Sequence, residues 1–180
     1  MSLGGYLWTL RRRIATTPPV ADERPVEPPA NGPATPLTLW TADDQSGTIR
    51  ATNRSLPLSA DRQSRAEELL RAVLNAYLDP ASLHKIPPGS EVRNVFLVES
   101  GLAVVDLNAV LANEHRSGIL VEELTVASLV QTLASNLPEV HRVRFLVDGK
   151  PRDTLAGHVD LSAEFDVGQM GQVVQALGNP

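Results

Sequence analysis

His158 and Asp160 stand one residue apart in the run Gly157-His158-Val159-Asp160. An aspartate beside a histidine can orient an imidazole as a general base or as a metal ligand. If the run is extended, alternate side chains point the same way and both groups share one face. Asp148, in Asp148-Gly149-Lys150, adds a carboxylate upstream. No serine, cysteine or third ligand is placed near them by the sequence. The ordinary expectation is therefore a hydrogen-bonded histidine that fixes an arm to a sheet. A hydrolase using His158 with Asp160 or Asp148 is the alternative.

Other polar residues invite chemistry and have plainer explanations. Gly149 after Asp148 suits a tight hairpin, whose turn requires positive φ. Gly157 marks a bulge or a close backbone approach. Asp106, directly after Val104-Val105, has the form of a carboxylate at a strand end, but capping a helix through Ala112 explains it without a substrate. Arg142 and Arg144 share one face of a strand, and Arg93 on a middle strand can join them in a partner-binding face. Thr132 reads as a packing or backbone-bonding hydroxyl on a helix. Glu114-His115-Arg116 reads as a solvated loop cluster.

The chain has no cysteine, which excludes disulfides, thiolate metal sites and cysteine nucleophiles. Its four histidines, at 84, 115, 141 and 158, show no recurrent ligand spacing. No glycine-rich phosphate cradle, HExxH helix or GxSxG elbow occurs. The expectation is a non-enzyme with no metal and no cofactor.

A net charge of −5 and an aromatic content of 4% argue against nucleic acid, which needs clustered cations and stacking rings. The same scarcity weakens sugar stacking. Trp40 and Tyr77 are its main candidates, and both sit at expected core positions.

Those residues need elements to position them. Residues 1–36 hold half of the 14 prolines and read as a semi-extended linker. Ahead of it, LGGYLWTLRRRI joins a short apolar piece to three arginines, which reads either as the stump of a membrane anchor or as an ordinary terminus. Leu37 to Asp43 and Thr48 to Leu58 read as a hairpin. From Ser64 the period becomes helical, with Ala66, Leu69, Leu70, Val73, Leu74, Tyr77 and Leu78 on one stripe and Ser64-x-x-Glu67 as a capping box. Asp79-Pro80 stops that helix. Strands follow at Glu91–Val98 and Leu102–Val105, then a second main helix from about Glu123 or Thr125 to Asn136. Val140–Val147 is the last clear strand, followed by the Asp148-Gly149 turn and an arm through Leu161. Residues 167–180 read as a flexible tail. The order implies an α+β domain, residues 37–166, with two main helices on one mixed or antiparallel sheet.

Several ordered segments, RSLPLSA, AEELLRAVL, IPPGSEV, GLAVVDLN, LVQTL and FLVDGKPRDTLAGHVDL, resemble the GerMN domain of sporulation and spore germination proteins. Asp106, Thr132, Asp148, Gly149, Gly157, His158 and Asp160 fall in these segments and are expected to be structural. The resemblance implies a non-enzymatic, extracytoplasmic module of bacterial lipoproteins and membrane-anchored envelope proteins, carried here in one copy. It brings no catalytic or cofactor residues. A protein partner or self-association through a sheet edge is expected, with cell-wall glycan or peptide binding as the other choice. Membrane contact would come only through an N-terminal anchor.

Overall fold

The computed structural model describes residues 33–98 and 100–178. The expected anchor stump and most of the linker fall outside the described residues, which start at 33; the last expected linker residues, 34–36, instead open β1. The fold is α+β, with strands in two sheets. β1 (Ala34–Asp43) and β2 (Thr48–Pro57) form an antiparallel hairpin, with Trp40 opposite Ala51. β3 (Val92–Val98), β4 (Leu102–Leu107), β5 (Arg142–Val147) and β6 (Phe165–Asp166) make a mixed four-stranded sheet in chain order. β4 and β5 are parallel, because α2 (Ala109–Glu114) and α3 (Ile119–Asn136) carry the chain back between them.

α1 (Arg62–Leu78) begins three residues earlier than the Ser64 capping box implies. Asp61 is its N-cap, and its carboxylate accepts from Ser64 N at 2.8 Å. The apolar stripe read from the sequence is buried except Leu78, which lies at the last turn. Asn108 rather than Asp106 caps α2, accepting from Leu111 N at 3.2 Å. Asp106 stays within β4, where the strand runs two residues past Val105.

α3 begins at Ile119, before the expected Glu123 or Thr125, and lies between β1 and α1. Every residue from Leu124 to Leu133 is buried. A helix enclosed on all sides must bond each of its polar side chains internally. The inner face of the four-stranded sheet completes the core with Val95, Val105, Phe145, Ala103 and Val143.

The expected flexible tail is instead α4 (Val167–Gly178), packed on α3 and β2. Gly168 and Gly171 inside it lower its helix propensity. Met170, Val174 and Leu177 nonetheless recur at helical spacing and turn inward, and Val174 is buried. Tertiary burial decides the conformation here over local propensity.

Candidate functional site

Gly118 caps α3 without a side chain to offer, and Glu122 takes its place from inside the first turn. Oε1 of Glu122 accepts from Gly118 N at 3.1 Å. Oε2 accepts the amides of Ala156, His158 and Val159 at 3.1, 3.0 and 3.0 Å. His158 Nδ1 donates to Oε1 at 2.8 Å. Glu122 is 0% exposed. Burial alone would raise its pKa, but donation from Val159, His158, Gly118 and Ala156 outweighs it and holds the carboxyl at about 2. This buried anion fastens the arm after β5 to the head of α3.

His158 and Asp160 therefore do not work as a pair. The arm is not extended at this point: Leu155 N bonds Val159 O at 3.0 Å, Thr154 bridges Asp160, and Gly157 has φ 118°. The chain doubles back, so alternation no longer aligns the two side chains. Asp160 turns to Ser162, accepting from its amide at 2.8 Å and its hydroxyl at 2.6 Å. His158 ties the arm to helix α3 rather than to a sheet.

Asp148 and Gly149, at φ 49° and 71°, form the turn that closes Val147 onto Lys150. Asp106 Oδ1 accepts from Gly149 N at 2.7 Å, which pins the turn to the end of β4. Asp148 accepts from Arg93 at 3.0 Å, so Asp148 is committed away from His158. The buried Asp106 is a brace for the turn, because the strand continues where a cap was expected.

Thr132 accepts from Trp40 N at 3.0 Å. One turn on, Asn136 exchanges bonds with Thr38, accepting its amide at 2.9 Å and donating to its carbonyl at 2.7 Å. Tyr77 of α1 accepts from Ala42 N at 3.0 Å and donates to Ser128. Burial pushes the Tyr77 phenol up to about 12. The outward amides of β1 thus end on helix side chains.

A second polar cluster joins four segments that the sequence reading left apart. Asp44, at the hairpin tip, meets His84 Nδ1 at 2.5 Å, and His84 Nε2 meets Thr125 Oγ1 at 2.7 Å. His115 Nε2 meets the same hydroxyl at 2.8 Å, while its Nδ1 meets Arg116 O at 2.8 Å. Arg116 returns to Asp44 at 2.8 Å. His115-Arg116 is therefore no solvated loop cluster, since His115 is buried. Carboxylate, imidazole and hydroxyl stand in the order used for nucleophilic catalysis. His84 and Thr125 are both 0% exposed, however, and the hydroxyl is already engaged by two imidazoles and by Val121 O. Burial pushes both imidazoles below their ordinary range, against the pull of Asp44 on His84 and of the Arg116 carbonyl on His115. The cluster can lock the hairpin tip to α3; it presents no nucleophile to solvent. The sequence hint was the hydroxyl series Thr125, Ser128, Thr132 on the buried side of a helix, each of which needs a partner.

The three arginines do lie along one sheet face, the one turned away from the helices. Its cross-strand rows are Phe96–Val104–Arg144 and Val98–Leu102–Arg142. Arg93, displaced by the bulge between Val92 and Asn94, bonds Asp148, and Arg142 bonds Glu164 at 2.7 Å. Arg144 is exposed and makes no ion pair among the described residues. Phe96 and Val98 beside it are 44% and 47% exposed.

Among the described residues, no group of three or more His, Asp or Glu side chains is placed to hold a metal ion. No helix among them is long and apolar enough to cross a membrane.

A model of the Germane family, described as sporulation and spore germination, matches residues 38–153. The fold is similar to the tandem GerMN domains of the sporulation protein GerM from Bacillus subtilis, at 18% identity and a TM-score of 0.57, covering 74% of this chain and 46% of that one. It is also similar to the first GerMN domain of that protein, at 18% identity and a TM-score of 0.52, covering 73% of this chain and 97% of the other. This chain thus spans about half of the tandem pair and nearly all of the single domain. No curated protein matches it. At such identity the structural likeness speaks for the fold, and the family match, which takes in more than half of the chain, speaks for descent. The chain belongs to the Germane family, the sporulation and spore germination domains.

Proposed function

We propose that this chain is a non-enzymatic interaction module of a bacterial cell envelope protein, working outside the cytoplasmic membrane through a protein partner or a second copy. The observation that carries this reading is the outer face of the four-stranded sheet. Phe96 and Val98 lie half exposed there on the same face as Arg144, which makes no ion pair among the described residues, whereas Val95, Ala103, Val105, Val143 and Phe145 on the inner face are buried. A contiguous exposed apolar patch rimmed by charge is the usual mark of a contact surface. Meanwhile Glu122, His84 and Thr125, the groups best suited to chemistry, are sealed and hydrogen-bonded. Family membership supports the envelope location, and the Pro-rich N-terminal sequence supports a tether.

The test is in-cell crosslinking of the full-length protein, with solution mass measured in parallel. The proposal expects a crosslinked partner, or a mass above the monomer's 19.4 kDa, abolished by Phe96→Ser with Val98→Ser. A strict monomer at high concentration that captures nothing in cells would overturn it.

A further inference from the structure

Three of the four sheet edges in this domain are bonded at least in part by named groups or are too short to extend. On β1 the outward amides of Thr38, Trp40 and Ala42 bond Asn136, Thr132 and Tyr77, and just past the strand the Asp44 amide bonds the Leu83 carbonyl. On β3 the Glu67 carboxylate of α1 accepts from Val95 N at 3.3 Å. β6 is two residues long and passes directly into α4. β2 differs from these: α4 packs against it, but its outward amides find no acceptor among the described residues. Opposed residues in a non-hydrogen-bonded antiparallel pair both turn their amides outward. Because Thr38 and Trp40 do so on β1, their partners Asn53 and Ala51 do so on β2, and Ser55 follows in the same alternation. All three are exposed, and their amides meet no acceptor among the described residues.

We propose that the free edge of β2 accepts an acidic extended segment of a partner protein as an added strand. This goes beyond the outer-face reading, since β2 belongs to the other sheet and uses backbone rather than apolar side chains. The backbone supplies the pairing and the arginines supply the choice of partner. Arg50 and Arg54 project from the same face of β2, both exposed and neither in an ion pair among the described residues. Their four-residue spacing is about 13 Å along a strand, so a partner strand with carboxylates four residues apart sets one opposite each. A second copy of β2 is a poor occupant, because antiparallel self-pairing brings arginine against arginine.

The experiment uses the full chain, isotope-labelled, with a synthetic alternating Val/Thr peptide of about ten residues carrying two glutamates four apart, and its lysine counterpart as control. The acidic peptide is expected to bind saturably and to slow amide exchange at Ala51, Asn53 and Ser55. Affinity should fall at least about ten-fold in the R50E/R54E double variant, which leaves the backbone intact, and in Asn53→Pro, which removes one outward amide. Arg144→Glu should leave it unchanged. The proposal is overturned by no saturable binding, by equal binding of the lysine peptide, by undiminished binding to the R50E/R54E variant, or by protection that maps to Phe96 and Val98. It is also overturned if that variant self-associates while the natural chain binds no peptide, which would make the arginines mere guards against strand pairing.

Discussion

Glu122 and His158 meet at 2.8 Å across 36 residues of sequence, and the carboxylate of that pair also takes four backbone amides. A fully buried anion tolerates this position only because every lone pair is used. The histidine that first suggests an active site is thus one strut of a structural joint between α3 and the arm after β5.

Removing the two members of that joint should have unequal effects. Glu122→Ala leaves four amides without an acceptor and should cost about 3–5 kcal/mol. His158→Ala removes one donor from a side chain that is 44% exposed, and should cost about 1 kcal/mol. Equilibrium urea unfolding measures both. Equal losses would contradict the assignment of the carboxylate as the centre.

Acid should weaken the fold through the same group. The Glu122 carboxyl titrates at about 2 when folded against an ordinary 4.5, so the unfolded chain binds the proton more readily in that interval. Its stabilisation is complete above 4.5 and disappears as the pH falls towards 2, a loss of about 3 kcal/mol. His84 and His115, whose pKa burial lowers, act in the same direction, since the unfolded chain takes up their protons first as the pH falls below 6.5. Unfolding free energy measured against pH should decline through both ranges. Glu122→Gln should flatten the lower limb.

Thr132→Val keeps the shape of the side chain and removes the acceptor for Trp40 N. The expected loss is about 1–3 kcal/mol, the cost of leaving a half-buried amide without its partner. Exchange of the Trp40 amide should quicken while that of neighbouring β2 amides bonded to β1 does not.

Much of this fold is legible in the sequence, and the reasons are local. The Leu69-Leu70-Val73-Leu74-Tyr77 stripe identifies α1 because helical spacing and burial coincide there. Asp148-Gly149 identifies its turn because few pairs accept positive φ at both positions. The candidate joints are not legible, because their partners are remote: nothing near Glu122 announces that amides of residues 156–159 will enclose it. The role of Asp106 is hidden for a related reason. A carboxylate at the end of an apolar run looks the same whether it caps the next helix or braces a turn 43 residues away. The course of the arm is hidden too, because strict alternation cannot show that Gly157 turns the chain back.

Deleting α4 after Asp166 should leave a folded but weaker domain. The main loss is the burial of Val174 and the partial burial of Met170 and Leu177, which amounts to about 2–4 kcal/mol of apolar contact. Unfolding midpoints of the truncated and full chains measure it. A midpoint unmoved by the deletion would contradict the packed role of the helix.

The central claim, that the outer face of the four-stranded sheet is the working surface, is tested most directly by a photocrosslinking residue placed at Val98 in cells, with the same residue at exposed Gln63 on α1 as control. The account predicts one discrete adduct from position 98, lost when Arg144 is changed to Glu, and none from position 63. No adduct at 98, or an identical adduct from both positions, would contradict it.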